Sequence, residues 1–165
     1  MNAAFTRFCA ALSKIALMLA VAGLILVVLS VQVQVVGRYL LNDTPTWAEA
    51  LAMLLILYVT ALGVAVGVRD AGHIGLESLI ALLPDRLRTR LEILIHGLVG
   101  LFGALMAESG WVWASLKWDE QKPMLGLPEG VDYLPLLIAG LLITLFSIEH
   151  ILALLQGKSV EPAWN

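Results

Sequence analysis

The ionisable side chains that interrupt the apolar bulk of this chain are few: Arg38, Glu49, His96, Glu108, Glu149 and His150 lead them. An ionisable group at membrane depth is a functional candidate by default, because hydrocarbon solvates it poorly. His96 lies about a turn and a half into its apolar run, and His150 sits at similar depth in the last run, counted from the opposite direction. Two histidines at one depth on different helices could ligate a haem, as in a membrane anchor of an oxidoreductase. They could equally act as polar glue between helices, with His96 bonded to Glu149. Polar glue is the reading adopted, since a lone histidine pair is an unspecific signal; the haem anchor through His96 and His150 is the alternative. Glu49 stands one short loop from Arg38, which predicts an ion pair between them. Cys9 is the single cysteine, so no disulfide forms within the chain.

These residues are positioned by four long apolar stretches: Ile15–Val36, Trp47–Val68, Leu91–Trp113 and Tyr133–Leu155. Each exceeds the roughly 20 residues that an α-helix needs to cross about 30 Å of hydrocarbon. The composition is 60% hydrophobic, with a mean hydropathy of +0.90. The fold class is therefore an all-α integral membrane protein, one membrane domain over residues 1–165 with spans at 15–36, 47–68, 91–113 and 133–155. The first run is too long for a signal-peptide core and lacks a small-residue cleavage pattern, so it reads as a retained helix. Motifs for phosphate binding, zinc or a nucleophile elbow are absent, as is a basic–aromatic surface for nucleic acid. An autonomous proton-coupled exporter would want a carboxylate deep in the bundle, and here the carboxylates fall toward helix ends.

Basic residues set the orientation. Arg7, Lys14, Arg69, Arg86, Arg88, Arg90 and Lys158 fall on one side, and Arg38, Lys117 and Lys122 on the other. The richer side is cytoplasmic, which places both termini inside. Tyr39, Trp47, Trp111, Trp113, Trp118 and Tyr133 cluster at the outer helix ends as an interfacial belt.

Finer patterns follow from spacing. Ser30, Gln34 and Arg38 recur every four residues and form a polar stripe that prefers protein to lipid. Thr44 or Thr46 is expected to cap the second helix, with Pro45 in its first turn. Gly63 and Gly67 form a small-xxx-small face for close packing, within the chain or against another subunit. Gly97, Gly100, Gly103 and Ala107 do the same on the third helix. Between spans two and three, Leu76, Leu79, Ile80 and Leu83 follow helical spacing, in a run too short to cross the bilayer. This predicts a short amphipathic interfacial helix over 74–83, ended by Pro84 and followed by Arg86, Arg88 and Arg90 at headgroup depth. The outer segment Lys117–Asp132 is acidic and turn-rich, with Pro123, Gly126, Pro128 and Gly130.

Arg38, Pro45, Trp47, Glu49, a glycine-rich second helix ending in Arg69, then His73-Ile74 and Glu77 together resemble the DctQ-like small membrane subunit of tripartite ATP-independent periplasmic (TRAP) transporters. Ala50 departs from that pattern, where a second acidic residue commonly follows Trp-x-Glu. The resemblance implies four membrane helices, cytoplasmic termini in a bacterial inner membrane, and no catalysis or cofactor of its own. It also implies a large multi-span transport subunit that uses a sodium gradient, and a periplasmic solute-binding protein that delivers a carboxylate-bearing solute. In that frame Arg38, Trp47, Glu49, Gly63, Gly67, Arg69, His73 and Glu77 are candidates for the subunit interface or its supporting motif. Asp119, Glu120 and Glu129 are candidates for docking the periplasmic protein by charge complementarity.

Overall fold

The computed structural model describes residues 3–43, 45–71, 84–157 and 160. Its elements are α1 (Ala3–Leu40), α2 (Thr46–Val66) continued by a π-helical turn (Gly67–Ala71), α3 (Asp85–Leu116), a 3-10 turn (Glu129–Asp132) and α4 (Leu134–Leu155). Among the described residues, four helices are long and apolar enough to cross a membrane. Helices satisfy every interior backbone group internally, which is why such sequences take this form in lipid. The expected helix over 74–83 lies outside the described residues.

Two helices outrun the apolar stretches that announce them. α1 has 38 residues, about 57 Å of helix, and α3 has 32, about 48 Å, against about 30 Å of hydrocarbon. The extra turns carry charge: Arg7 and Lys14 on α1, Arg88 and Arg90 on α3. Hydropathy locates a span but does not end a helix, and the flanking residues are ordinary helix formers.

Packing follows a seam of small residues. On α1, Cys9, Ser13, Ala16, Ala20, Gly23, Val27, Ser30 and Gly37 are buried and Gln34 is half-buried, at alternating steps of four and three. That 3.5-residue period keeps one face on its partner when two helices wind around each other left-handedly. The large apolar residues between these positions, from Ile15 to Val36, face outward. α3 repeats the device with His96, Gly103, Ala107, Gly110 and Ala114 buried. The facing glycine of α4, Gly140, has no room for a side chain, since a Cβ there would collide with the Ala107 amide nitrogen and the Gly103 carbonyl oxygen. In lipid, where apolar burial gives no drive, such close approach supplies the dispersion contact that holds helices together.

The chain thus forms two hairpins, α1–α2 and α3–α4, joined chiefly where α2 meets α4. α1 and α3 share no extensive contact, so the helices run as an open row, α1, α2, α4, α3, rather than a closed bundle. The joint holds a core of Cys9, Ala65, Ala139, Ile143 and Phe146.

Of the two expected caps of the second helix, Thr44 lies outside the described residues and Thr46 is already the first helical residue. Pro45 occupies the N-cap position, and among the described residues no side chain caps the helix.

Candidate functional site: a buried polar node and the open helix faces

Where α2 ends, its last turn widens into a π-helix over Gly67–Ala71. A wider turn brings the consecutive side chains Arg69 and Asp70 to the protein side together, and such turns recur at functional positions. Arg69 is 2% exposed and Asp70 8%. The Arg69 guanidinium donates from Nε to Glu149 Oε2 at 2.9 Å and from Nη2 to Glu149 Oε1 at 3.1 Å. Its Nη1 donates to Asp70 Oδ1, and the Ser13 hydroxyl of α1 donates to Asp70 Oδ2. All four carboxylate oxygens therefore accept a hydrogen bond. The Phe146 ring lies 5.9 Å from the guanidinium carbon, within cation–π range.

The node reaches α3 through histidine. His150 Nε2 donates to the Arg69 carbonyl oxygen at 2.9 Å. Its ring stacks on that of His96 in α3, with centroids 4.4 Å apart and planes 6° from parallel. One cluster so engages all four helices: Ser13 from α1, Arg69 and Asp70 from α2, His96 from α3, Glu149 and His150 from α4.

Two sequence expectations are corrected by this geometry. Glu149 bonds Arg69 rather than His96, because a carboxylate at this depth gains more from a bidentate guanidinium than from one imidazole. The haem alternative does not fit either. Axial imidazoles must meet an iron end-on from opposite sides of a porphyrin, whereas these rings lie face to face and His150 Nε2 is already bonded. Among the described residues, no group of three or more histidine, cysteine or acidic side chains could hold a metal.

The Arg38–Glu49 ion pair is also not formed. Arg38 is exposed, and Glu49 accepts instead from Gln34 Nε2 at 3.3 Å. Gln34 lies one turn earlier on the same stripe and nearer the α2 side, so the shorter polar side chain gets there first. Trp47 is 48% exposed. Among the described residues, a Cβ on Gly63 or Gly67 would meet nothing within 4 Å, so neither glycine packs against them. Gly97 is equally open, whereas Gly100 and Gly103 face α4.

Other named positions scatter. His73, Leu76, Glu77, Leu79, Ile80 and Leu83 lie outside the described residues. Arg86 enters the first turn of α3, Arg88 donates to Glu92 at 2.8 Å, and Arg90 is exposed. The outer segment is ordered, as its turn residues predict: Gln121 pairs with Pro128 as an isolated bridge, and Tyr58 of α2 donates to the Val131 carbonyl at 3.0 Å. Lys122 bonds both oxygens of Asp132 at 2.7 Å, and Lys117 bonds Glu120 at 2.6 Å. Lys117 holds the Glu120 carboxyl below its usual range, helped by a hydrogen bond with Glu129. Asp119 is exposed and Glu129 half-buried.

Sequence reading missed the node as a unit, although each member was visible. The usable signal was the adjacency of Arg69 and Asp70, with Glu149 at matching depth on the antiparallel side. Charges at membrane depth seek each other before they seek lipid headgroups.

Comparison with known proteins agrees with the architecture. A family model described as "Tripartite ATP-independent periplasmic transporters, DctQ component" matches residues 27–157. A putative TRAP transporter small permease protein of Haemophilus influenzae is 24% identical over 135 residues, covering 82% of this chain and 84% of its own length. The sialic acid TRAP transporter permease protein SiaT of Haemophilus influenzae is 33% identical over 73 residues, which is 42% of this chain but 12% of that longer protein. The C4-dicarboxylate TRAP transporter small permease protein DctQ of Vibrio cholerae is 30% identical over 77 residues, 47% of this chain and 33% of that protein. With its four apolar helices and a match over most of its length, the chain belongs to the DctQ component family of tripartite ATP-independent periplasmic transporters.

Proposed function

We propose that this small permease subunit is the fixed part of its transporter, holding a large multi-span transport subunit in a bacterial inner membrane. The partner would use a sodium gradient to take up a carboxylate-bearing solute delivered by a periplasmic solute-binding protein. As a transporter component the chain is not an enzyme. The observation that carries the reading is the family match over residues 27–157. Two relatives support the solute class, being named for sialic acid and for C4-dicarboxylates, both carboxylate-bearing. The relative whose match occupies 12% of its length supports the partnership, because there a similar segment sits within a much longer permease chain.

Physical features favour a stationary role. Both termini are assigned to the cytoplasm, with Arg7, Lys14, Arg88 and Arg90 on that side. Exposed Trp47, Trp111, Trp113 and Trp118 would hold the outer ends at the interface. The segment 74–83 is assigned to the inner interface as an amphipathic helix against lipid, which resists vertical movement.

Docking of the large subunit is assigned to the outward face of α2. Glu49, Met53, Ile56, Thr60, Gly63 and Gly67 repeat there at steps of four and three, the same period as the occupied seams. Glu49, Thr60 and the two glycines suit a neighbouring helix better than lipid tails. Asp119, Glu120 and Glu129 are assigned to contact with the periplasmic protein. The test is purification of the tagged chain from its native membrane. A much larger many-spanning protein should co-elute in fixed ratio. Elution alone, or with a haem absorption band, would refute the assignment.

A further inference from the structure

We infer that the Arg69 node is a positioning lock that sets the angle and register between the two hairpins, with Arg69 as its positioning residue. The joint between the hairpins is narrow, made by α2 against α4 with the inner end of α1. Much of its apolar surface is small: Cys9, Ala65 and Ala139 are fully buried there. Small apolar faces in lipid hold two helices close but define their rotation and height poorly, because dispersion has no direction and lipid offers nearly equal contact. The bidentate Arg69–Glu149 pair is directional. A slip of one residue, about 1.5 Å along the axis, would break one or both of its bonds.

The node is also placed where it acts on every helix. Ser13 ties α1 to the Asp70 carboxylate, and His150 ties the π-turn carbonyl to α4. α3 has little contact with the first hairpin, yet His96 couples it through the stack on His150. At the outer end, by contrast, α2 is tied to the segment leading into α4 by the single neutral Tyr58–Val131 bond among the described residues. The ionic inner end therefore fixes the hinge that the outer end leaves lighter.

A buried ion pair is a poor source of stability, since desolvation offsets much of its attraction, but it discriminates strongly between right and wrong registers. That separates the lock from a merely structural role. The variant Arg69→Met, Asp70→Asn, Glu149→Gln nearly keeps the volume and removes all three charges at once, leaving no buried charge uncompensated within the node, so it should melt close to the parent. It should nevertheless lose the fixed angle.

The experiment uses the full chain in nanodiscs, spin-labelled at Lys14→Cys on α1 and Leu155→Cys on α4, both exposed; Cys9 is fully buried. In the triple variant the distance distribution between the labels should broaden roughly twofold, while a pair within α3–α4, at Leu94→Cys and Leu155→Cys, stays narrow. Arg69→Met alone, which takes the guanidinium away from both carboxylates, should broaden it at least as much. Unchanged inter-hairpin distances in the folded triple variant would overturn the lock.

Its consequence for transport rests on the subunit reading and is read separately, in complexes that still co-elute. The maximal uptake rate should fall about tenfold with the solute KM unchanged, a size typical of coupling through a positioned element. Normal uptake with broadened distances would overturn Arg69's role in transport; failure to co-elute with any large subunit would refute the subunit reading and not the lock.

Discussion

Gly140 and Gly97 are both glycines in membrane helices, yet they stand in opposite surroundings. At Gly140 an added methyl would strike the backbone of α3 at Ala107 and Gly103, which cannot yield without parting the helices. Gly140→Ala should therefore destabilise the folded chain by about 1–3 kcal/mol, the usual cost of overpacking. Gly97→Ala meets nothing within 4 Å and should stay within about 0.5 kcal/mol. Thermal unfolding in detergent reads both, and equal losses would mean that α3 and α4 do not pack as described. At this scale the sequence was only half legible. Its glycines announced close packing but not which of them were occupied, since spacings of three and of four both put small residues near one edge. The charged residues misled in a related way. Arg69 counted as one more cytoplasmic cation, and only the π-turn, which sequence does not signal, shows why it points inward with Asp70. Glu149 and Glu49 had expected partners nearby, and the geometry paired each with a different side chain.

At the scale of elements, the four helices were legible because about 20 apolar residues in a row have few other solutions. Their ends were not, since the charged extensions of α1 and α3 keep good helix formers and so keep the helix. The outer segment between α3 and α4 was read correctly as turn-rich, and its ion pairs now make its behaviour with pH specific. Glu120 titrates below its ordinary value because Lys117, then Glu129, favour its charged form. A carboxyl depressed on folding contributes stability that is present above its unfolded pKa and lost as pH falls through the folded one. Lys117 is shifted up, by its hydrogen bond to Glu120, so its share is lost only as pH rises past the usual lysine range. The protection of amides in residues 117–132, corrected for the intrinsic exchange rate at each pH, should thus be level near neutrality and fall as pH drops below the ordinary carboxylate range. Glu120 is exposed and Lys117 partly so, so about 1 M salt should flatten the effect. A Glu120→Gln chain that shows the same acid response would remove this pair as its origin.

The whole molecule is an open row of helices, and that arrangement argues most directly for its role. A self-sufficient four-helix protein would close, giving each helix two neighbours; here α1 and α3 stand at the edges and most of each span faces outward. Lipid can cover α1, whose outward face is Ile, Leu, Val and Met, but it suits the α2 face poorly. There Thr60, Gly63 and Gly67 continue the step of four and three that the occupied seams of α1 and α3 use. If another transmembrane helix lies on that face, added bulk must expel it while leaving the chain itself intact, because among the described residues no atom stands within 4 Å of either glycine's would-be Cβ. Gly63→Leu with Gly67→Leu should therefore leave the melting of the isolated chain near that of the parent, yet weaken capture of the large subunit by about tenfold or more. Closing a small-residue interface by even a methylene or two typically costs about 1–3 kcal/mol, which is that factor. The matched control places Leu at Gly97, the open position on α3, where capture should be unchanged. Undiminished co-purification by the α2 double variant would move the interface to another face of the row, with the two-hairpin architecture left as it is.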